Sequence, residues 1–345
     1  MRYYKISISD PSNPNAGEQV YTSLVNGQTD PGALQVELDC MITQSHTPSG
    51  STLVKIWGVG LPAISQAKNL NPVVDGQSLK PKFCKVFGGF AKGLPLANPK
   101  QSGLLFQGNI QQAFGNWQGL EMSLELIIYP GQGEATIPKN IVLDWKANQK
   151  LSDAISNTLK TAFPDYKLDI AISDKLTLAY DQAGAYQTLV QFATAINVIS
   201  RNIVQGNYPG VSMLIQEQTI RVYDGTSQKD PLELDFTDMI GQPTWIDVNV
   251  IMVKLAMRAD LLPGAFIKLP KSAVNVVTTA QSFSQYRQGS VFQGSFQVQE
   301  VRHVGSFRVP DANAWCTIIK ATPTTSQTTQ EQSASTTVRT ENQIT

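Results

Sequence analysis

Charge is scarce in this sequence and balanced in sign. Only 16% of the 345 residues are charged, with 27 basic and 27 acidic side chains. Such a chain has no global field to attract nucleic acid or an acidic membrane, as strongly basic proteins do. Long apolar runs are also missing, since no segment approaches the roughly 18 residues of a transmembrane helix. We expect a protein made in the cytoplasm, without a signal peptide or a membrane-spanning segment, whose partners recognise its shape.

Cysteine and histidine are rare and scattered. The three cysteines are Cys40, Cys84 and Cys316, with no C-x-x-C pair, and the two histidines are His46 and His303. This spacing is unlike a disulfide framework or a zinc site. His46 lies in a turn-rich loop and His303 in an alternating strand, so we expect solvated and structural roles, with no partnered nucleophile. We predict no catalytic, cofactor-binding or metal-binding residues.

The pattern of apolar residues divides the chain into three regions. Period-two alternation predicts antiparallel strands near the start, including Tyr3–Ser9, Gln19–Leu24, Thr52–Trp57, Cys84–Phe87 and Leu104–Ala113, with one short helix at Pro62–Asn69. Helical stripes follow at Leu151–Ala162 and from about Ala185 to about Ile203, among short strands. Strands return from about Asp247, with Pro263 and Gly264 suited to the centre of a type II turn.

We therefore predict a mainly β fold with an α+β insertion. The predicted domains are a first tube-like antiparallel β-barrel at residues 1–137, a small α+β domain at 138–240 and a second tube-like β-barrel at 241–320. Residues 321–345 are rich in Thr, Ser and Gln and have too little apolar area to fold alone, which predicts an extended polar tail held by a neighbouring chain.

Two glycine-rich segments superficially resemble phosphate-binding turns. Gly58, Gly60 and Ala63 match G-x-G-x-x-A, but the preceding strand alternates and carries Lys55, unlike a strand buried on both faces. The stretch GGFAKG at 88–93 lacks the full phosphate-loop pattern and is followed by prolines. Neither predicts a nucleotide site.

The spacing of the carboxylates does not predict a catalytic site. Asp165 with Asp169, and Asp235 with Asp238, are spaced like ordinary surface acids, so a glycosidase pair is not indicated.

Several blocks, taken in order, resemble the central baseplate hub proteins of contractile-tailed bacteriophages, a family related to the hub part of type VI secretion spikes. The resemblance covers most of residues 1–320. The blocks are LVKIWGVGLPAISQAKNLNP, LPLANPKQSGLLFQGNIQQAFGNWQGLEMSLELII, WKANQKLSDAISNTLKTAFP, QTLVQFATAINV and GSFQVQEVRHVGSFRVPDANAWCTIIKA.

The resemblance implies a structural protein of the virion, assembled in the host cytoplasm. It implies a homotrimer in which two tube-like domains per chain form a pseudo-hexameric ring that joins the tail tube to the central spike. The implied partners are the tail tube protein, the spike and other baseplate proteins, with DNA only as cargo passing through the bore. It implies no enzymatic activity and no cofactor, and no fused lytic domain is visible.

The alternative function is a tail-tip module that binds or hydrolyses cell-wall polysaccharide. All-β modules stack sugars on exposed aromatic rings, and the candidates here are Trp117, Trp145 and Trp245. The same side chains are suited to a core or to an interface with another protein. A pair of carboxylates about 5 to 10 Å apart in a cleft would favour the hydrolase.

Overall fold

The structure is a computed structural model. It describes residues 1–43, 52–74, 76–91, 101–130, 138–204, 208–216, 219–226, 231–247, 249–270 and 294–324. The predictions for His46, for part of the GGFAKG stretch and for residues 325–345 lie outside the described residues.

The first part of the chain is almost entirely β. Its strands alternate buried and exposed side chains, as in β5, where every second residue from Val36 to Ile42 is buried. Its elements are β1 Arg2–Ser9, β2 Gln19–Thr22, β3 Leu24–Val25, β4 Gln28–Thr29, β5 Gln35–Ile42, β6 Thr52–Trp57, α1 Leu61–Gln66, β7 Val73–Val74, β8 Gln77–Ser78, β9 Phe83–Phe90, β10 Gly103–Gln118 and β11 Glu121–Pro130.

The middle part is the α+β insertion. Its elements are β12 Ile141–Trp145, α2 Leu151–Ala162, β13 Lys167–Ala171, β14 Gln182–Tyr186, α3 Leu189–Val204, β15 Ser212–Gln216 and β16 Thr219–Tyr223. The helix predicted at Leu151–Ala162 has these bounds. The predicted start of the next helix near Ala185 is wrong, because Ala185 lies in β14 and pairs with Val142 of β12.

The last part returns to β structure. Its elements are β17 Leu232–Glu233, β18 Thr244–Asp247, β19 Val250–Ala256, β20 Phe266–Lys268, β21 Ser295–Ser306 and β22 Trp315–Pro323. The predicted turn before β20 is present: Gly264 has φ +87°, and the amide of Ala265 donates to the carbonyl of Leu262 at 3.1 Å. The mainly β fold with an α+β insertion is thus confirmed.

In the part of the chain that the structure describes, one sheet of 13 strands runs through the first and last parts. Its order is β18-β19-β22-β21-β5-β6-β11-β10-β9-β1-β2, with β20 on β21 and β17 on β20. The two β parts meet where β21 pairs antiparallel with β5, from Val301 opposite Ile42 to Ser306 opposite Glu37. The two predicted barrels are therefore parts of one hydrogen-bonded sheet.

The same strand plan occurs twice within this sheet. In the first part, the hairpins β5–β6 and β10–β11 give the order β5-β6-β11-β10; in the last part, β18–β19 and β21–β22 give β18-β19-β22-β21. The long strands β10 and β21 each pair at their start with a further strand, β9 or β20. Each also has a register shift against its hairpin partner, after Ile110 in β10 and after Val298 in β21.

The described residues form three clusters of buried apolar side chains. The first is built mainly from residues of β1 to β11, the second from residues 141–222, and the third from residues 234–321. The first cluster also contains Met257 and Trp315 from the last part and Leu214 and Tyr223 from the insertion. The domain boundaries at 137 and 240 remain predictions.

The strand-to-turn segment at Gly58 belongs to this antiparallel sheet. β6 has antiparallel neighbours on both sides, β5 and β11, whereas a dinucleotide-binding turn follows a strand of a parallel sheet. α1 instead packs on β10 at Gly115, where an added Cβ would lie 2.6 Å from the Ile64 carbonyl oxygen. The glycine therefore allows the close approach of helix and strand.

Candidate assembly interface

A buried arginine lies at the centre of a charged cluster in the last part of the chain. Arg258 follows β19, and its guanidinium donates to both carboxylate oxygens of Asp260 at 2.7 Å and to Asp238 at 3.0 Å. The side chain of Gln101 donates to the same oxygen of Asp238 at 2.7 Å. The charged side chains of the cluster pair with one another and are almost fully buried. Because Gln101 lies before β10 and bonds to Asp238, the cluster connects that segment to the last part of the chain.

His303 lies beside this cluster and is itself buried. Its Nδ1 is 2.9 Å from the hydroxyl oxygen of Thr317, which also accepts from the amide of Arg258 at 2.9 Å. Burial lowers the pKa of His303 to about 3, so the imidazole is neutral near pH 7. The ring links β21 to β22.

The three cysteines are free thiols in buried positions. Burial raises the pKa of Cys84 to about 12 and also raises the pKa values of Cys40 and Cys316. Because the thiolate is the reactive form, these thiols are poor nucleophiles.

The acidic residues singled out in the sequence have separate roles. Asp235 accepts from the Thr237 amide at 3.0 Å, a bond that lowers the pKa of Asp235. Asp238 binds Arg258, while Asp169 lies 3.8 Å from Arg221. Among the described residues, no group of three or more His, Cys, Asp or Glu side chains is arranged to hold a metal ion.

The loop after β21 is clamped onto the first part of the chain. Arg2 donates to the carbonyls of Ser306 at 2.8 Å and Phe307 at 3.1 Å, and Arg308 donates to the carbonyls of Pro31 and Ala33. The sequence alone did not reveal this clamp, because its donors and acceptors lie at opposite ends of the chain.

Aromatic rings pack beneath the clamp. Phe307 makes edge-on contacts with Tyr4 at 4.8 Å and with Trp315 at 5.9 Å between ring centroids. The indole nitrogen of Trp315 donates to the carbonyl of Gly89 at 2.9 Å. With the pairing of β5 and β21, these contacts hold the two β parts together.

The tip of the β10–β11 hairpin presents apolar side chains to solvent. Trp117 is 63% exposed and Leu120, in the two-residue loop, is fully exposed. Gly119 has φ +61°, as the first central residue of a type II′ turn does. The indole nitrogen of Trp117 donates to the carbonyl of Gly119 at 3.0 Å, which fixes the ring against its own turn.

The other tryptophans of the polysaccharide-binding hypothesis are less exposed. Trp145 is fully buried and donates to the carbonyl of Gln149 at 2.8 Å, so it belongs to the second core. Trp245 is half-buried. Of the three candidates, only Trp117 presents most of its ring to solvent.

A shallow depression of about 580 Å³ lies beside the hairpin tip. Its apolar lining includes Leu34, Trp57, Leu120 and Met122, and its acidic lining is Glu37 and Glu121. The ammonium of Lys55 lies 3.9 Å from the ring centroid of Trp57 and 2.7 Å from Glu125. One face of the Trp57 ring is therefore already covered by a cation.

No helix among the described residues is long and apolar enough to cross a membrane. No family model matches the chain, and no curated protein matches it either.

Solved structures that are similar to this chain include two proteins described as tail proteins and a component of a type VI secretion system. One is the Escherichia coli c3393 protein, a type VI component with structural similarity to the T4 tail proteins gp27 and gp5; it has 10% identity and a TM-score of 0.48, covering 88% of this chain and 77% of that one. The 43 kDa tail protein of prophage MuSo2 from Shewanella oneidensis has 8% identity and a TM-score of 0.48, covering 92% and 96%. A tail protein from Neisseria meningitidis has 9% identity and a TM-score of 0.49, covering 92% and 96%.

Proposed function

We propose that the protein is a structural, non-enzymatic baseplate hub of a phage tail. In this proposal three chains form a ring that joins the tail tube to the central spike and passes the genome during ejection. The observation that carries the proposal is the repetition of one strand plan, β5-β6-β11-β10 and β18-β19-β22-β21, within a single sheet.

The repetition gives one chain two similar positions in a ring. If neighbouring chains are joined as the two halves are joined, three chains supply six similar units with threefold symmetry. Such a ring matches a sixfold tube on one side and a threefold spike on the other. The order of blocks that resembles the hub family supports the same arrangement.

The surface composition supports assembly as the role of this ring. Charged residues are few and balanced, and large apolar side chains are exposed on several strands, among them Val20, Leu53, Phe114 and Ile246. Exposed apolar area of this kind is commonly covered by other protein. The partners that we propose are further copies of the chain, the tube protein, the spike and other baseplate proteins, in the virion.

Light scattering of the purified protein across a concentration range tests the ring. We expect a mass three times that of the 37.6 kDa chain, followed by co-elution with the spike protein when the two are mixed. A mass of one chain at every concentration, with no change on mixing, would contradict the proposal.

A further inference from the structure

A two-stranded sheet of the insertion has an open edge. β12 and β14 form this sheet, and Val142 pairs with Ala185. The hydroxyl of Thr158 donates to the carbonyl of Val142 at 3.2 Å, so the main-chain groups of Val142 point toward α2 and away from β14. In an antiparallel ladder, two opposite residues either bond to each other or both point away from each other, and the two cases alternate along the strands. The main-chain groups of Ala183 and Ala185 therefore point outward, away from β12.

This edge has no strand partner among the described residues. Ala183 and Ala185 are exposed, and their outward amides have no acceptor in the described part of the chain. The side-chain nitrogen of Gln182 lies 3.4 Å from the carbonyl oxygen of Ala183. Because this is a long hydrogen bond, a main-chain donor of another strand can replace it.

β14 also lacks the features that usually protect an edge strand. Proteins blunt exposed edges with lysine, proline, bulges or a covering segment. The sequence of β14 is Gln-Ala-Gly-Ala-Tyr, with no charged residue and no proline, and its register with β12 runs without a shift over five pairs. With alanine and glycine at the centre of β14, no bulky side chain keeps another strand from its backbone. The edge is therefore suited to the addition of an extended segment.

The end of the chain leaves the described fold beside the insertion. The amide and the hydroxyl of Thr324 both donate to the carbonyl of Ser295 at 3.1 Å. Two residues further along β21, Gln297 contacts Gly225, which lies just after β16: a Cβ added to this glycine would be 2.9 Å from the side-chain oxygen of Gln297. The tail, residues 325–345, therefore begins next to the part of the chain that carries β14.

The tail is long enough to reach the edge. A compact unit of about 90 residues, the size of the insertion, has a radius of gyration of about 12 Å and a diameter of about 30 Å. An extended chain spans about 3.3 Å per residue, so the roughly 14 residues from Thr324 to Val338 span about 46 Å. A tethered segment also has a high effective concentration near its own chain, which favours docking within one molecule.

One segment of the tail has the composition of a strand. Residues 335–340 read Ser-Thr-Thr-Val-Arg-Thr, and the tail contains neither proline nor glycine. β-Branched residues such as threonine and valine are favoured in strands. Arg339 is the one basic residue of the tail. The edge begins beside two exposed carboxylates, Asp144 and Asp181, which share the single ammonium of Lys146. The segment and the edge are therefore complementary in charge.

We propose that residues 335–340 add to β14 of their own chain as the third strand of this sheet. The added strand bonds to the outward main-chain groups of Ala183 and Ala185. The edge is then closed to strands of other proteins until the tail is displaced. A neighbouring chain, which the composition of the tail predicts as its holder, is the alternative that the experiments distinguish. The inference goes beyond the proposed function and does not depend on the ring.

Hydrogen exchange followed by mass spectrometry tests the pairing. In the full chain, the protected amides of residues 181–187 should exchange about tenfold more slowly than in a chain that ends at Thr324. Val338→Pro introduces a residue that cannot take part in a regular ladder, and it should reproduce the fast exchange. Ser326→Pro, the matched control, places proline in the tail outside the proposed strand and should keep the slow exchange. Equal exchange in the full and the shortened chains, or equal effects of the two prolines, would overturn the inference.

Photo-crosslinking identifies which chain supplies the strand. A photoreactive benzophenone amino acid replaces Thr337 in the full-length chain, and cross-linked peptides are identified by mass spectrometry. We expect cross-links from position 337 to residues 181–186 in species that keep the mass of one chain under denaturing conditions. The same cross-links in species of two chain masses would assign the strand to a neighbouring chain and refute the proposal, as would cross-links that fall elsewhere. The ring is read separately, from the mass in light scattering, so either proposal can fail while the other stands.

Discussion

Replacing Trp315 with alanine should destabilise the junction between the two β parts more than any surface substitution. Trp315 begins β22 in the last part of the chain, yet its ring lies in the first core with 1% of its surface exposed. It packs edge-on against Phe307, and its indole nitrogen donates to the carbonyl of Gly89 in a buried hydrogen bond.

The expected magnitude follows from these contacts. Truncating a buried tryptophan to alanine costs about 3 to 5 kcal/mol through lost burial and the cavity left behind. Leaving a buried carbonyl without its donor adds about 1 to 3 kcal/mol. Because the two effects overlap, we expect a loss of about 4 to 6 kcal/mol, which is three to four powers of ten in the unfolding equilibrium constant at about 1.4 kcal/mol for each.

Urea unfolding followed by far-ultraviolet circular dichroism measures this loss. The matched control is Trp117→Ala, the same change at an exposed position, and it should alter the unfolding free energy of the isolated chain by no more than about 0.5 kcal/mol. A loss below about 1 kcal/mol for Trp315→Ala, or equal losses for both variants, would refute the assignment of Trp315 to the first core.

Three further predictions concern packing, charge and pH. Gly115→Val should lower stability by about 1 to 3 kcal/mol in thermal unfolding, because the added side chain meets the backbone of α1. An unchanged melting temperature would contradict this close contact. Asp260→Asn removes the carboxylate charge that pairs with the buried guanidinium of Arg258. It should lower the free energy of unfolding in urea by about 3 to 5 kcal/mol, and a loss near zero would mean that the cluster is hydrated. The pKa of His303 is about 3 in the folded protein and 6.5 for the free side chain. Between these two pH values the unfolded chain therefore binds more protons than the folded chain. Stability should therefore fall as pH drops from 6.5, by up to about 1.4 kcal/mol per pH unit, and an unchanged slope in His303→Gln would contradict the assignment.

The sequence by itself determined the local structure of this protein. Alternation marks which face of each strand is buried, and the stripe in Leu151–Ala162 gives α2 its bounds, because burial on one face imposes a period on the residues. The Pro263–Gly264 pair predicts a turn for an equally local reason, since glycine adopts positive φ without strain.

Strand partners were decided by tertiary structure. Asp39 and Arg302 are 263 positions apart and lie on paired strands. A period of two in the sequence is compatible with any neighbouring strand, so it does not identify which strand is the partner. The start of α3 shows the same limit: Ala185 continues a helical stripe, and pairing with β12 overrides it. Trp315 packs in the first core, and Arg2 bonds to the loop after β21, because the two ends of the chain come together in the fold. A local sequence pattern does not predict contacts between residues so far apart. Hence the sequence determined the elements, while their pairing produced the repeated sheet and its candidate interface.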